Sequence, residues 1–356
     1  MKVRPNSLVA VGLVVLGVAL AIVASNVGFF QGPAPSPADR GAPAPEFVGI
    51  DGWLNSSPLT VGGLRGSVVL IDFWTYSCVN CARTWPHLRQ IYARYKPAGL
   101  EIVGVHSPEF SFEKISTNVQ DAIDRNDLTW PVALDNDMET WRAYRNNSWP
   151  HVYIIDAKGV LRFDAIGEGN EELIQDRLRS LLRENGATLP EPIDFKAGAF
   201  NPHQTPEIYA GYRRGEVMGA LGNPEGYLPN RVLDYRDVDD QIVTDAGTNG
   251  VFFLEGAWRA HAEYVEAVED GARVRLPFYA RDVFFVAAPA SGSVEVRLRL
   301  DGRAVSASLL GADAAGGVVR IDRSDLFRLL TLDEADTHEL TIEADEGFRL
   351  YTFTFG

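Results

Sequence analysis

The chain has 356 residues but only two cysteines and six histidines, and no second Cys pair stands at metal-ligand spacing. A structural zinc site needs further Cys or His at fixed intervals, so no metal is expected. Basic residues are also in deficit: 33 Lys and Arg against 48 Asp and Glu give a formal charge of −15. That balance cannot supply the cationic face that sequence-independent nucleic-acid binding requires. Runs of like charge are missing too, so there is no acidic tail, and the net negative charge serves solubility. What remains is ordinary. With 46% hydrophobic and 23% charged residues, most of the chain should fold, and its length suits two domains with separate cores.

Long hydrophobic runs occur once. Lys2 and Arg4 precede an uncharged stretch from Ser7 to Phe30. About 20 such residues cross a bilayer as a helix, and leading positive charges keep the N-terminus in the cytoplasm. Residues 1–30 are therefore read as a single-pass transmembrane helix or signal anchor in the cytoplasmic membrane, with the folded domains on the extracytoplasmic side. A cleaved signal peptide is the competing reading. Its apolar core is typically about 7–15 residues, shorter than this run, and the Ala19-Leu20-Ala21 site falls inside the run. Residues 31–45, QGPAPSPADRGAPAP, can form neither helix nor core. Extended at about 3.1 Å per residue, they make a semi-rigid spacer of roughly 45 Å.

Between residues 46 and 192 strands and helices alternate. Ser67 to Trp74 is a short apolar run, as in a strand buried on both faces. Val79 to Tyr95 reads as a helix with Leu88, Ile91, Tyr92 and Tyr95 on one stripe. A second buried strand covers Glu101 to His106, a helix Phe112 to Asn126, and a short strand Trp130 to Leu134. A helical stretch near Met138–Tyr144 precedes a hairpin of His151–Ile155 and Val160–Ile166, and the helix Glu171–Glu184 closes the unit. That order predicts a thioredoxin-type α/β domain.

Both cysteines lie in this domain, in Cys78-Val79-Asn80-Cys81. Cys78 falls just past a buried strand, at the start of a helix, where backbone N–H groups favour a negative sulfur. Lowering a thiol from about 8.5 to about 7 takes roughly 2 kcal/mol of preferential thiolate stabilisation. Cys81 lies nearly a turn further on and can close on Cys78. The expectation is a redox-active Cys78–Cys81 pair with no other cofactor, Cys78 attacking and Cys81 resolving. A structural disulfide closing so short a loop would stabilise little. A peroxidatic cysteine is a third reading, because Thr75 stands three residues before Cys78.

The segment Asp72-Phe-Trp-Thr-Tyr-Ser-Cys-Val-Asn-Cys81, followed by Pro86 and by GVHSPEF at 104–110, resembles the thioredoxin superfamily, in particular the TlpA-like domain of DipZ-type proteins. The resemblance implies that Asp72 is the buried acid under the two cysteines. A carboxylate in an apolar strand has a raised pKa and makes a plausible base. It also implies that Pro150 is the cis-proline facing them, exposing backbone to an extended substrate. Trp149 would add an apolar wall, and Trp74 and Tyr76 would flank the site. TlpA-like reductases often carry a Glu three residues after the second Cys. Here that position is Thr84, so Glu109 is the candidate proton relay in its place, with His106 and His151 as weaker ones.

From residue 195 to 356 the alternation becomes period-2 with turn signals. Val294–Leu300 runs into Asp301-Gly302, a strong hairpin turn, and His338–Glu343 and Leu350–Phe355 alternate likewise. With Val251–Trp258, Ala262–Glu269, Arg273–Phe278 and Val283–Ala287, these segments predict an all-β jelly-roll sandwich. It resembles the carbohydrate-binding-module-like domain that ends DipZ-type proteins. Tyr209, Tyr212, Tyr227 and Trp258 are the candidates for a sugar platform, although a scaffold or docking role is the favoured reading over glycan binding.

The resulting expectation is a thiol–disulfide oxidoreductase that reduces disulfides of exported proteins. Full-length DipZ-type proteins carry an electron-delivering membrane domain of the CcdA type, so a reductase lacking it needs a separate membrane donor. The rival is a cell-envelope binding protein that uses the sandwich to recognise glycan or protein.

Overall fold

The computed structural model describes residues 41–195 and 204–356. The expected anchor over 1–30, and the spacer up to residue 40, lie outside the described residues. Among the described residues no helix is long and apolar enough to cross a membrane. Residues 41–45, read in the sequence as the end of the spacer, already lie on the first domain. Gly41 N–H and Ala44 N–H donate to Leu161 O and Gly159 O, each at 2.9 Å, and Leu161 N–H returns a bond to Ala42 O.

The first domain runs β1 (Gly52–Leu54), β2 (Val68–Trp74), α1 (Val79–Tyr95), β3 (Leu100–His106), α2 (Ser116–Arg125), β4 (Val132–Leu134), α3 (Glu139–Ala143), β5 (His151–Ile155), β6 (Leu161–Ile166) and α4 (Glu171–Glu184). Its sheet order is β1-β4-β3-β2-β5-β6. β2 lies between parallel β3 and antiparallel β5, and every one of its residues is buried, which explains why it is apolar throughout except at Asp72. α1 packs its Leu88, Ile91, Tyr92 and Tyr95 stripe onto this sheet. This is a thioredoxin-like fold.

Two local departures from the sequence reading have clear causes. The expected helix from Phe112 splits into a 3-10 turn, Ser111–Lys114, and α2, because Ile115 between them is extended. β4 begins at Val132 rather than Trp130, since Pro131 has no N–H to give to the ladder.

The second domain contains β7 (Ile208–Tyr209), α5 (Tyr212–Met218), β8 (Val232–Tyr235), α6 (Asp240–Ala246), β9 (Phe253–Ala260), β10 (Val265–Ala267), β11 (Ala272–Pro289), β12 (Val294–Leu300), β13 (Arg303–Ala304), β14 (Val318–Ile321), β15 (Asp325–Ala344) and β16 (Phe348–Phe355). The sequence reading expected a jelly-roll sandwich; the pairings establish an all-β domain built on one continuous antiparallel sheet. Its axis is β11, which pairs with β15 along its length, with β9 in its first half and with β16 in its second. β10 joins β9 to β16, so these pairings close on themselves. The sequence pattern divides β11 in two around residues 279–282. A register shift between Ala280 and Asp282 lies there, a bulge that bends the strand without ending it. The Asp301-Gly302 turn does join β12 to β13, both residues taking the positive φ that such a turn requires.

The two domains share hydrophobic core. Val286, Ala288 and Tyr351 of the second domain pack in one cluster with Trp74, Tyr76, Phe110 and Phe112 of the first. At the edge of this contact Arg125 meets the buried Asp325 at 2.5 Å.

Candidate active site

β2 delivers the chain into a three-residue loop, Thr75–Ser77, and Cys78 then caps α1 with extended backbone (φ −81°, ψ 113°). Its sulfur accepts the Cys81 N–H at 3.3 Å, a contact that is strongest with an anionic sulfur. Both cysteines are free thiols, Cys78 partly exposed and Cys81 buried. Accessibility therefore distinguishes them: of the two, Cys78 is the one that can meet a macromolecule from outside.

Asp72 lies below them in β2, fully buried, and neither carboxylate oxygen finds a hydrogen-bond partner among the described residues. Burial alone lifts it from the ordinary carboxyl range to about 7. Burial also pushes the Cys81 thiol well up, and the Cys78 sulfur and the Asp72 carboxyl add to that shift. An acid poised near neutrality beside a thiol reluctant to ionise is the pairing that general-base assistance calls for.

The Trp149–Pro150 peptide is cis. Because Phe73 pairs with His151 across β2 and β5, Pro150 falls level with Trp74, next to the redox loop. Pro150 is buried and its carbonyl already accepts the Gly167 N–H at 2.9 Å. Trp149 is half-buried, its ring 4.4 Å from that of Trp141 and its Nε1 donating to Ser107 O. Trp74 and Tyr76, expected to flank the site, are instead buried beneath it. Trp74 packs edge-on against Trp85 and His106, and Tyr76 stacks on His106, so neither offers surface to a substrate.

His106 is buried and pushed down to about 3, hence neutral, with Nε2 3.4 Å from Thr75 Oγ1. His151 is bound through Nδ1 to Asn146 Oδ1 at 2.6 Å, and burial lowers its pKa. Both are packing residues. Glu109 does not face the cysteines. Its Oε1 accepts from Tyr209 Oη at 2.7 Å and Arg214 Nη1 at 2.5 Å, both from the second domain.

The acid near the redox loop that sequence reasoning missed is Glu113. It is fully buried, accepts from Ser77 Oγ at 2.5 Å through Oε1, and accepts from the Glu109 and Phe110 N–H groups through Oε2. Burial, with the Glu109 charge adding to it, raises its pKa to about 7. The signal available was a Glu three residues after the start of a turn, a position from which carboxylates reach back to backbone N–H groups.

The aromatic residues considered for a sugar platform do not form one. Trp258 is core, Tyr212 and Tyr227 pack partly buried against the same core, and Tyr209 lies at the domain contact. The open groove of the second domain, about 900 Å³, is lined instead by Arg273, Arg275, Arg299, Glu255, Glu339 and other non-aromatic residues.

Comparison with known proteins agrees with this layout. Residues 41–164 match the AhpC/TSA family and residues 205–356 the thioredoxin-like C-terminal domain family. The thiol-disulfide oxidoreductase ResA of Geobacillus kaustophilus is 30% identical over 143 residues, 40% of this chain and 77% of that protein. A solved thioredoxin-like protein in the oxidized form is 29% identical, covering 41% of this chain and 97% of its own, with a TM-score of 0.38. The chain is a thioredoxin-like protein of the thiol–disulfide oxidoreductase class. More narrowly, it is a homologue of the DipZ proteins: that of Mycobacterium tuberculosis is 34% identical over 322 residues, 88% of this chain. The chain spans 43% of the length of that relative.

Proposed function

We propose that this protein reduces disulfides of exported proteins, working from the outer face of the cytoplasmic membrane through the Cys78–Cys81 dithiol. The observation that carries this reading is the asymmetry of the pair: an accessible Cys78 sulfur capping α1, and a buried Cys81 thiol beside Asp72, which has no hydrogen-bond partner among the described residues. The Cys78 thiolate attacks one sulfur of a target disulfide. A Cys78–target bond forms as the target S–S bond breaks, and the first target thiolate departs. Asp72 takes the Cys81 proton, and the Cys81 sulfur attacks Cys78, releasing the second target thiolate, which that proton then neutralises. The target gains two electrons and the protein is left with a Cys78–Cys81 disulfide. With the Pro150 carbonyl engaged, the Trp149 backbone is the edge offered to an extended substrate.

Membrane attachment is supported by the Lys2 and Arg4 flank and the apolar run that follows it. Re-reduction then falls to a membrane dithiol donor of the CcdA type. In an insulin-reduction assay with a chemical dithiol donor, the wild-type protein should accelerate precipitation and Cys78→Ser should not. Equal rates for the two proteins would overturn the reading. The AhpC/TSA match favours a second reading, a thiol peroxidase. Against it, the Thr75 hydroxyl faces His106. Peroxide consumption at a rate exceeding disulfide reduction would establish the peroxidase instead.

A further inference from the structure

We infer that Glu113 is a positioning residue for the redox loop, holding Ser77 beside the nucleophilic Cys78, and that the second domain belongs to the active site because it grips the loop carrying Glu113. The inference rests on the oxidoreductase reading above.

A carboxylate removed from water must be hydrogen-bonded to be tolerated. Glu113 accepts from the Glu109 and Phe110 N–H groups, which are in its own loop, and from the Ser77 hydroxyl, which is not. The third bond ties the segment after β3 to the residue immediately before Cys78. It also commits the Ser77 hydrogen to the carboxylate, so that hydrogen cannot turn toward the neighbouring sulfur. The segment is fixed from the far side as well. Tyr209 and Arg214 hold Glu109, and Glu263 Oε2 accepts both the N–H and the hydroxyl of Ser111. The rings of Phe110 and Phe112 lie 5.2 and 4.8 Å from that of Tyr351. Contacts thus run without a break from Arg214 through Glu109, Glu113 and Ser77 to Cys78.

The test is the equilibrium of the Cys78–Cys81 couple with reduced and oxidised glutathione, measured in the full chain. Glu113→Gln keeps the shape of the side chain but removes its charge and frees the Ser77 hydrogen to stabilise the reduced sulfur. It should shift the equilibrium toward the dithiol by about fivefold, the scale of one net hydrogen bond. Ser77→Ala leaves the backbone donors to Glu113 intact, so it keeps the loop folded. It leaves the Glu113 Oε1 without the Ser77 donor, exposing its negative charge to the site, and should shift the equilibrium the opposite way. Arg214→Ala should move it in the sense of E113Q, by a smaller factor. A side chain that only supports the fold would change the melting temperature and leave the equilibrium where it was. Wild-type values in both E113Q and S77A would overturn the role of Glu113, and a wild-type value in R214A the role of the second domain. A wild-type protein that fails to equilibrate with glutathione would overturn the oxidoreductase reading itself.

Discussion

A carboxyl group in the middle of β2, with no partner for either oxygen among the described residues, is costly to the fold whenever it is ionised. The folded pKa of Asp72, raised to about 7, stands above the unfolded one. The neutral acid is therefore tolerated at low pH, and stability is lost as the pH rises through 7. Asp72→Asn should consequently match the wild type in urea unfolding at pH 4 and exceed it at pH 8. The gain is roughly 4 kcal/mol at most, from a shift of about three pKa units. The same variant should slow release of the mixed disulfide, because the Cys81 proton loses its acceptor. Indistinguishable urea midpoints at pH 8 would show that Asp72 is not a buried base. The positions of Cys78 and Cys81 were readable in the sequence because their setting is local, a turn and a helix start after an apolar strand, whereas Asp72 entered through the family resemblance. Glu113 was not, since its place under Ser77 depends on how the segment after β3 folds back. Glu109, four residues earlier, was the relay candidate from sequence, but its side chain is held by Tyr209 and Arg214 of the second domain.

Elements were readable where periodicity was clean. The Val79–Tyr95 and Glu171–Glu184 helices stand where their apolar stripes put them. Short or bent elements were harder: β1 has three residues, and β11 carries a bulge that mimics a turn. At this scale a tight constraint near the redox loop is Gly104 in β3. A Cβ there would lie 2.7 Å from Trp74 Nε1 and 3.2 Å from Trp130 Nε1, between two buried indoles. Gly104→Ala should cost about 1–3 kcal/mol in chemical denaturation, as overpacked cores do. It should also lower exchange activity, because Trp74 ends the strand that delivers the redox loop. Wild-type stability in this variant would mean that the indoles have room to move.

At the scale of the whole molecule the two domains are less separable than the change of pattern near residue 195 suggests. Sequence shows where one pattern ends and another begins, but not that Tyr351 packs against Phe110 and Phe112. Because Val286, Ala288 and Tyr351 complete a cluster begun by the first domain, calorimetry should show one cooperative transition. Tyr351→Ala should destabilise by about 3–5 kcal/mol and resolve that transition into two. Two transitions already present in the wild type would mean that the domains fold independently. Removing the second domain would leave Phe110 and Phe112 uncovered, so the intact chain is the proper object of functional assays.

The proposed function turns on one accessible sulfur that captures a disulfide and one buried sulfur that displaces it. The most direct measurement is mass spectrometry of the Cys81→Ser protein after exposure to oxidised insulin. The expected product is a stable mixed disulfide on Cys78, absent from Cys78→Ser and released by the wild type. Insulin reduction by the wild type with no adduct at Cys78 in the Cys81→Ser protein would contradict the assignment.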